Sequence, residues 1–389
     1  MDIGSNPKRD GSFFKYCGGD HRKNHHSTAA ANVHHHHHHG FGGAVVKIVV
    51  VFVMIGLTFV FVNKSDNSTS TRFVDRSSPP SFDVFEDDEF KSEDLSSYGK
   101  EENNLENILR RAAMEDQKTV IITTLNAAWT EPHSIFDLFL ESFKIGDRTQ
   151  NLLKHLVVVA LDQKAYSRCL EAHLHCFALG GRGGGEDFSG LAYFMGGKYL
   201  KIMWKRIDFL RTVLEMGYNF VFSVSTPDAD VMWLRDPFPR FYPDGDFQIA
   251  CDRYNHNSTD LGNLPNGGFT YVKSNNRTIQ FYKFWYNGKD YFPGKHDQDV
   301  FNLIKFDPFI SDIGLGIRFL DTAYFGGFCQ PSKDLDLVVT MHANCCIGFE
   351  KKIHDIAMVI DDWKRYMGNH NSGRVSWTVP RECGLNKTE

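Results

Sequence analysis

The hydrophobic and polar positions of this chain change pattern near residue 105. Before it, a continuous apolar run is followed by a polar stretch that contains a Ser-Ser-Pro-Pro segment. After it, short β-branched or apolar runs alternate with segments whose apolar residues recur at helical spacing. Alternating strands and helices are typical of an α/β domain. The pattern therefore predicts an apolar N-terminal segment, a polar connector and one α/β domain.

The apolar run is long enough to cross a bilayer, since roughly 20 apolar residues span its hydrocarbon core. A cleaved signal peptide would be shorter and end in small residues, whereas bulky Phe61 and Val62 end this run. A buried core helix is the other alternative. Lys and Arg concentrate before the run and Asp and Glu after it, which places the N-terminus in the cytosol. We expect a type II membrane protein with a cytosolic tail at 1–40, a transmembrane signal anchor at 41–62 and a flexible stem at 63–104.

The following domain, residues 105–389, contains a series of predicted strands and helices. Runs rich in β-branched and aromatic residues predict strands at 119–124, 155–161, 220–224, 247–251, 269–272, 317–320 and 337–341. Apolar residues at helical spacing predict one helix around 135–143 and another at 200–214 that stops before Gly217. Strands that are apolar throughout are typical of sheets covered on both faces. The order predicts an α/β fold with a mostly parallel central sheet.

Charge and cysteine content narrow the classes of partner and site. The chain has 43 Lys and Arg against 48 Asp and Glu, so it has no basic field for nucleic acid. Of its eight cysteines, Cys17 lies in the expected cytosolic tail. The other seven predict one to three disulfides and a free thiol, whose pairing the spacing does not determine. Zinc is the alternative, because His342 stands near Cys345 and Cys346.

The most specific chemical motif is Asp228-Ala229-Asp230, which follows the strand predicted at 220–224. In parallel sheets, ligands bind beyond the carboxyl ends of the strands. Two carboxylates one residue apart reach one hard cation, and Mg²⁺ or Mn²⁺ takes its other ligands from diphosphate oxygens. An Asp-rich turn is the alternative. The motif predicts that Asp228 and Asp230 are metal ligands.

Five ordered segments resemble the plant nucleotide-diphospho-sugar transferase family, glycosyltransferase family 77, over about residues 105–383. They are TLNAAWTEP at 124–132, DADVMWLRDPFP at 228–239, PNGGF at 265–269, HDQDV at 296–300 and MHANCC at 341–346. The resemblance implies a single GT-A domain in a retaining Golgi enzyme with its catalytic domain in the lumen. It further implies a nucleotide-sugar donor such as a UDP-sugar, Mn²⁺ or Mg²⁺, and a cell-wall glycan or glycoprotein acceptor.

The resemblance also implies roles for single residues. His342 would be the third metal ligand, and a satisfied core histidine is the alternative. Arg206 would reach the donor diphosphate, unless it belongs to a solvated basic face. The nucleoside pocket would be lined by Thr123, Thr124 and Asn126, for which helix capping is the alternative.

Two further groups complete the donor site that we expect. They are a loop of Asn266, Gly267 and Gly268, and a polar run of Asp297, Gln298 and Asp299 after His296. The glycines let backbone approach the donor sugar or acceptor closely, and a hairpin turn is the alternative. Within the polar run, Asp299 or Asp297 would act as nucleophile or stabilise an oxocarbenium-like ion pair, because the electron-poor anomeric carbon needs a nearby anion.

One segment departs from the family pattern. The family strand leads directly into the acidic triplet, whereas about four residues are inserted here at 223–227, with Pro227 immediately before Asp228. Because proline lacks a backbone donor and biases the preceding residue toward extended backbone, the insertion would displace the carboxylates. Either the loop bulges and the site survives, or the protein is a catalytically inactive membrane-anchored member that binds a nucleotide sugar or scaffolds a partner. A metal-dependent lumenal hydrolase of diphosphates is a third alternative function.

Overall fold

The computed structural model describes residues 104–179, 195–223, 230–368 and 375–384. The tail and anchor expected at 1–62 and nearly all of the expected stem lie outside these residues, as do Pro227 and Asp228. In the part of the chain that is described, no helix combines the length and the apolar character needed to cross a membrane.

The described residues form a large and a small β-sheet. The strands are β1 (Thr119–Leu125), β2 (Leu156–Ala160), β3 (Cys176–Ala178), β4 (Asn219–Ser223), β5 (Val231–Trp233), β6 (Phe247–Arg253), β7 (Leu264–Val272), β8 (Ile317–Phe319), β9 (Phe325–Gly327) and β10 (Thr340–His342). The large sheet has the order β3-β2-β1-β4-β7-β6-β8, and the small one the order β5-β10-β9. Only β7 runs antiparallel to its neighbours in the large sheet. The predicted α/β fold with a mostly parallel central sheet is confirmed.

The helices cover both faces of the large sheet. They are α1 (Leu105–Ala112), α2 (Ile135–Ile145), α3 (Gln163–Ala172), α4 (Gly197–Glu215), α5 (Asn276–Tyr291), α6 (Asp297–Ile304), α7 (Pro308–Asp312) and α8 (Phe349–Gly368). Alternate residues of β1 face different cores: Ile121 packs with α2, α3 and α8, and Val120 packs with α1, α4, α5 and α6. This alternation follows from the two-residue period of a strand.

The predicted strands and helices each overlap an element of the structure, although the strand predicted at 337–341 is observed only at Thr340–His342, and one predicted loop is an exception. Helix α4 ends before Gly217, whose φ of 83° lies in the left-handed region that glycine adopts without steric cost. The exception is the segment of Asn266, Gly267 and Gly268, which was expected to be a loop. It lies inside β7, where an irregular pairing with β6 shifts the register. The prediction of a loop, and the hairpin alternative, are wrong.

The described cysteines form three disulfides. The pairs are Cys169–Cys176, Cys329–Cys345 and Cys346–Cys383. Cys251 is a buried thiol, and burial raises its pKa above the ordinary value. The expectation of one to three disulfides and a free thiol is confirmed at its upper limit. The zinc alternative is wrong, because both cysteines near His342 are disulfide-bonded.

Two buried carboxylates fasten the C-terminal segment to α8. Asp355 accepts three backbone hydrogen bonds, from the N–H groups of Arg381, Glu382 and Cys383. Asp362 accepts hydrogen bonds from the backbone and hydroxyl of Thr378. Burial opposes the ionised form of Asp355, yet these N–H groups and His354 lower its pKa. The charged carboxylates thereby hold the segment in place beside α8.

Candidate active site

The small sheet brings Asp230 and His342 together. Strands β5 and β10 pair antiparallel with His342 opposite Val231, and the N–H of Ala343 donates to the carbonyl of Asp230 at 2.9 Å. Asp230 Oδ1 lies 2.9 Å from His342 Nε2. The ladder therefore places the second acid of the Asp-x-Asp motif beside the histidine expected to join it.

Lys352 completes this centre, and the sequence reasoning missed it. It lies near the N-terminus of α8, and its Nζ is 2.9 Å from Asp230 Oδ2. Both residues are buried, and the His342 and Lys352 side chains each lie within hydrogen-bond distance of one oxygen of the Asp230 carboxylate. Burial alone would raise the pKa of Asp230, but the charges of His342 and Lys352 lower it to about 2. The carboxylate is therefore ionised at neutral pH.

The donor types at this centre fit a divalent cation. A carboxylate and an imidazole are both accepted by Mn²⁺, and adjacent ligands of an octahedral ion at about 2.1 Å lie about 3 Å apart. The 2.9 Å between Asp230 Oδ1 and His342 Nε2 matches this separation. Within the described residues, no three His, Cys, Asp or Glu side chains are grouped for a metal. The expected third ligand, Asp228, lies outside them.

A second group of polar side chains surrounds Asp252. The sequence reasoning did not predict a role for Asp252 either. The side-chain amides of Asn266 and Asn344 each donate to Asp252 Oδ1 at 2.8 Å. The Gln298 amide lies 3.4 Å from Asp252 Oδ2, and Gln298 Oε1 accepts the N–H of Gly267 at 2.9 Å. We refer to Asp252, Asn266, Gln298 and Asn344 as the amide–carboxylate cluster. Its expected members, Asn266 and Gln298, are thus brought together with Gly267.

The two groups adjoin each other. A Cβ at Gly268 would overlap the His342 ring, so only glycine lets β7 pass so close to the small sheet. Asn344 follows His342 by two residues at the end of β10. The Asp230 centre and the amide–carboxylate cluster therefore form one continuous polar site, built from β5, β6, β7, β10 and the ends of α6 and α8.

Arg206 and Asp297 border the amide–carboxylate cluster but pair with each other: the Arg206 guanidinium would lie 3.7 Å from a Cβ at Gly267. Arg206 and Asp297 form a buried ion pair, and the guanidinium lies over the Phe222 ring at 5.1 Å. Burial opposes the charge of Asp297, but Arg206 and His296 hold its pKa below the ordinary range. The Asp299 side chain is 43% exposed at the surface. The donor-binding and catalytic roles expected for these residues stay predictions, and the geometry favours Gln298 within the run.

The residues expected to line a nucleoside pocket are buried at the end of β1. The Thr123 hydroxyl donates to the Ser223 carbonyl at 2.8 Å, which joins β1 to β4. Thr124 is buried, and Asn126 is buried just before a short 3-10 helix. This loop is held by Asp162, which accepts the N–H of Ala127 at 2.7 Å. A nucleoside-binding role for Thr123, Thr124 and Asn126 stays a prediction.

Comparison with known proteins shows which family this chain is similar to. Residues 151–356 match the family model described as nucleotide-diphospho-sugar transferase. An uncharacterized protein of Arabidopsis thaliana, At4g15970, is 51% identical over 75% of this chain and 74% of its own length. A second, At1g28695, is 40% identical over 72% of this chain and 83% of its own length.

A solved structure gives a weaker likeness. It is a glycosyltransferase involved in the glycosylation of the major capsid of PBCV-1, and it covers 62% of this chain and 99% of that one. The TM-score is 0.35 at 9% identity, which is below the level of a shared fold.

Proposed function

We propose a function that proceeds from one premise: this chain belongs to the nucleotide-diphospho-sugar transferase family and is a glycosyltransferase. We expect the polar site around Asp230 and Asp252 to bind a nucleotide-sugar donor. The sugar would pass with retention to a cell-wall glycan or glycoprotein. The observation that carries this proposal is the placement of the Asp252 carboxylate, held by amides, beside the Asp230–His342 pair. The placement of Asp230 next to His342 also favours an active enzyme over an inactive scaffold.

The Asp230 centre would receive the donor diphosphate. Asp230 and His342, with Asp228, would hold Mn²⁺ or Mg²⁺, which neutralises charge on the leaving diphosphate when bound. Lys352 presents a buried ammonium 2.9 Å from Asp230, where it would bind a diphosphate oxygen. Preorganised charge of this kind stabilises a transition state because it is already in place when the bond to the leaving group breaks.

The amide–carboxylate cluster would face the sugar. The amides of Asn266 and Asn344 both donate to the same oxygen of Asp252, which favours its ionised form and fixes its direction. A carboxylate so held would stabilise the positive charge that develops at the anomeric carbon, as in other glycosyl transfers with oxocarbenium-like transition states. Gln298, bonded to the Gly267 backbone, would orient the sugar ring.

The location and anchoring of the enzyme rest on the sequence. The apolar run at 41–62, with basic residues before it and acidic residues after it, supports a single-pass type II protein of the Golgi membrane. The disulfides of the described domain support an oxidising lumen. The stem at 63–104 would hold the catalytic domain away from the bilayer.

The function can be tested on the full-length chain, purified in detergent from a eukaryotic secretory host. We expect sugar transfer from one of a panel of radiolabelled UDP-sugars to a cell-wall acceptor with Mn²⁺. EDTA should abolish it, and excess Mn²⁺ should restore it. Donor cleavage that no acceptor stimulates would instead support the diphosphate hydrolase, and UDP binding without either reaction would support the inactive scaffold.

Replacing Asp252 with Asn should separate the sugar step from nucleotide binding. The variant keeps the size of the side chain but removes the anion, so kcat should fall about 10²–10³-fold, as for loss of one preorganised electrostatic group. The Kd for UDP with Mn²⁺, measured by calorimetry, should stay within about threefold, since the Asp230 centre is unchanged. Asp312→Asn is the control, because Asp312 is an exposed acid at the end of α7. Near-normal kcat in the Asp252 variant would refute the assignment.

A further inference from the structure

A disulfide borders the amide–carboxylate cluster. The sulfur of Cys329, bonded to Cys345, lies 3.3 Å from Asp252 Oδ1. The backbone N–H of Cys329 donates to Asn344 Oδ1 at 3.0 Å, while Asn344 Nδ2 donates to Asp252 at 2.8 Å. The Asn344 amide is therefore a two-ended bridge between the disulfide segment and the carboxylate.

The backbone around this bridge is tightly constrained. A Cβ at Gly327 would lie 2.8 Å from Asn344 Cγ, so the amide rests directly on the β9 backbone. Cys345 has a φ of 56°, in the left-handed region that non-glycine residues rarely adopt. Such a conformation persists only where the surroundings enforce it. Cys345 is bonded to Cys329, and the next residue, Cys346, is bonded to Cys383, so two covalent links enforce this turn.

We propose that the Cys329–Cys345 disulfide and Asn344 are positioning elements for sugar transfer. The disulfide fixes the turn after β10, so that the Asn344 amide holds the Asp252 carboxylate toward the donor sugar. Full transfer then requires the Cys329–Cys345 disulfide to be formed. The inference rests on the proposed function of Asp252 and extends it to the residues that act through that carboxylate.

The structure separates this role from nucleotide binding. Asp230 and His342 are set by the pairing of β10 with β5 and β9, by the Phe328 N–H that donates to the His342 carbonyl at 2.9 Å, and by Lys352 of α8. None of these contacts is made by Cys329 or Cys345. Loss of the Cys329–Cys345 disulfide releases the turn that carries Asn344 and leaves the β5–β10 pairing in place. Because a displacement of about 1 Å can cost about 100-fold in rate, the chemical step should suffer much more than UDP binding.

The decisive experiment compares two disulfide deletions in the full-length chain. Cys329→Ser/Cys345→Ser should lower kcat about 100-fold, with the KM for the donor and the Kd for UDP with Mn²⁺ within about threefold. Cys169→Ser/Cys176→Ser is the matched control. That bridge lies at β3, five strand spacings or roughly 24 Å from β6. Below its melting temperature the control should keep the wild-type kcat.

A second variant tests the amide without removing the bridge. Asn344→Asp keeps the acceptor for the Cys329 N–H but loses the donor to Asp252, so kcat should again fall with little change in UDP affinity. Exchanging the pair, as Asp252→Asn/Asn344→Asp, restores a donor and an acceptor and should regain the melting temperature without regaining transfer. Because the exchange also removes the Asp252 anion, the fall of kcat without a fall in UDP affinity in Asn344→Asp alone is what separates a positioning role from a merely structural one.

The outcomes distinguish this inference from the proposed function. The positioning role alone would be overturned if the wild-type chain transfers sugar and both Cys329→Ser/Cys345→Ser and Asn344→Asp keep a kcat within threefold of the wild-type value. Equal losses of kcat and of UDP affinity in both variants would also overturn it. A wild-type chain that transfers no sugar would overturn the proposed function and this inference with it.

Discussion

Asp230→Asn should lower sugar transfer by about 10²–10³-fold, the loss expected when one preorganised electrostatic group is removed. The structure adds a second effect. Asp230 is fully buried between His342 and Lys352, so its neutral replacement leaves the ammonium of Lys352 without its counter-charge. Removing one partner of a buried ion pair costs about 3–5 kcal/mol of folding free energy. Transfer rates and thermal unfolding of the full-length variant measure the two effects.

A double variant distinguishes instability from loss of chemistry. In Asp230→Asn/Lys352→Met the buried charge is removed together with its partner, so much of the lost folding free energy should return. Transfer should stay low, because neither the Asp230 anion nor the Lys352 cation proposed to bind phosphate is restored. Recovery of transfer in the double variant would show that Asp230 acts only on stability, and would contradict its place in the donor site.

Asp297→Asn should destabilise the protein by about 3–5 kcal/mol, because it leaves the buried guanidinium of Arg206 without its counter-charge. The pair ties α4 to the first turn of α6, next to Gln298. When both partners are replaced by apolar residues, as in Arg206→Met/Asp297→Leu, the free energy of unfolding should be closer to that of the wild type than in the single variant. Chemical denaturation of the three chains gives the comparison, and a single variant as stable as wild type would contradict the prediction.

The pH dependence of this effect has a defined sign. The folded pKa of Asp297 is lowered, so its contribution is present above the unfolded pKa of about 3.9 and is lost as the pH falls through the folded value. The stability difference between wild type and Asp297→Asn should therefore be largest at neutral pH and shrink below about pH 4. A difference that stays constant from pH 7 to pH 3 would mean that the ionised pair is not its source.

Local pattern predicted seven of the ten described strands and two of the eight described α-helices. Strand β1 and helix α4 follow from β-branched runs and helical spacing, which depend on neighbouring residues alone. Strand β7 could not be predicted in full, because Asn266, Gly267 and Gly268 have the composition of a turn. Their place inside β7 comes from the pairing of the flanking residues Pro265 and Thr270 with β6 and from the approach of His342, which are contacts between distant segments.

The candidate site was predictable where a motif marks it. Asp230 and His342 were expected together, and the β5–β10 pairing joins them. Asp252 and Lys352 carry no motif, although Asp252 stands near the end of a predicted strand, where parallel sheets place their chemistry. That position is the signal that would have found it. Lys352 offered no comparable signal, because its role depends on the packing of α8 against the small sheet.

By itself, the sequence determined the α/β class, the family, and the types of group available for chemistry, since these properties depend on local pattern and ordered motifs. Only the tertiary structure decided which acid lies among amides at the proposed donor site and which is held in an ion pair. Asp297 stood in the expected catalytic run, yet it is paired with Arg206, whereas Asp252 lies among amides from β7, α6 and the turn after β10. The reason is physical: the behaviour of a carboxylate depends on the charges and donors that face it, and strand order and helix packing bring those groups from distant parts of the chain.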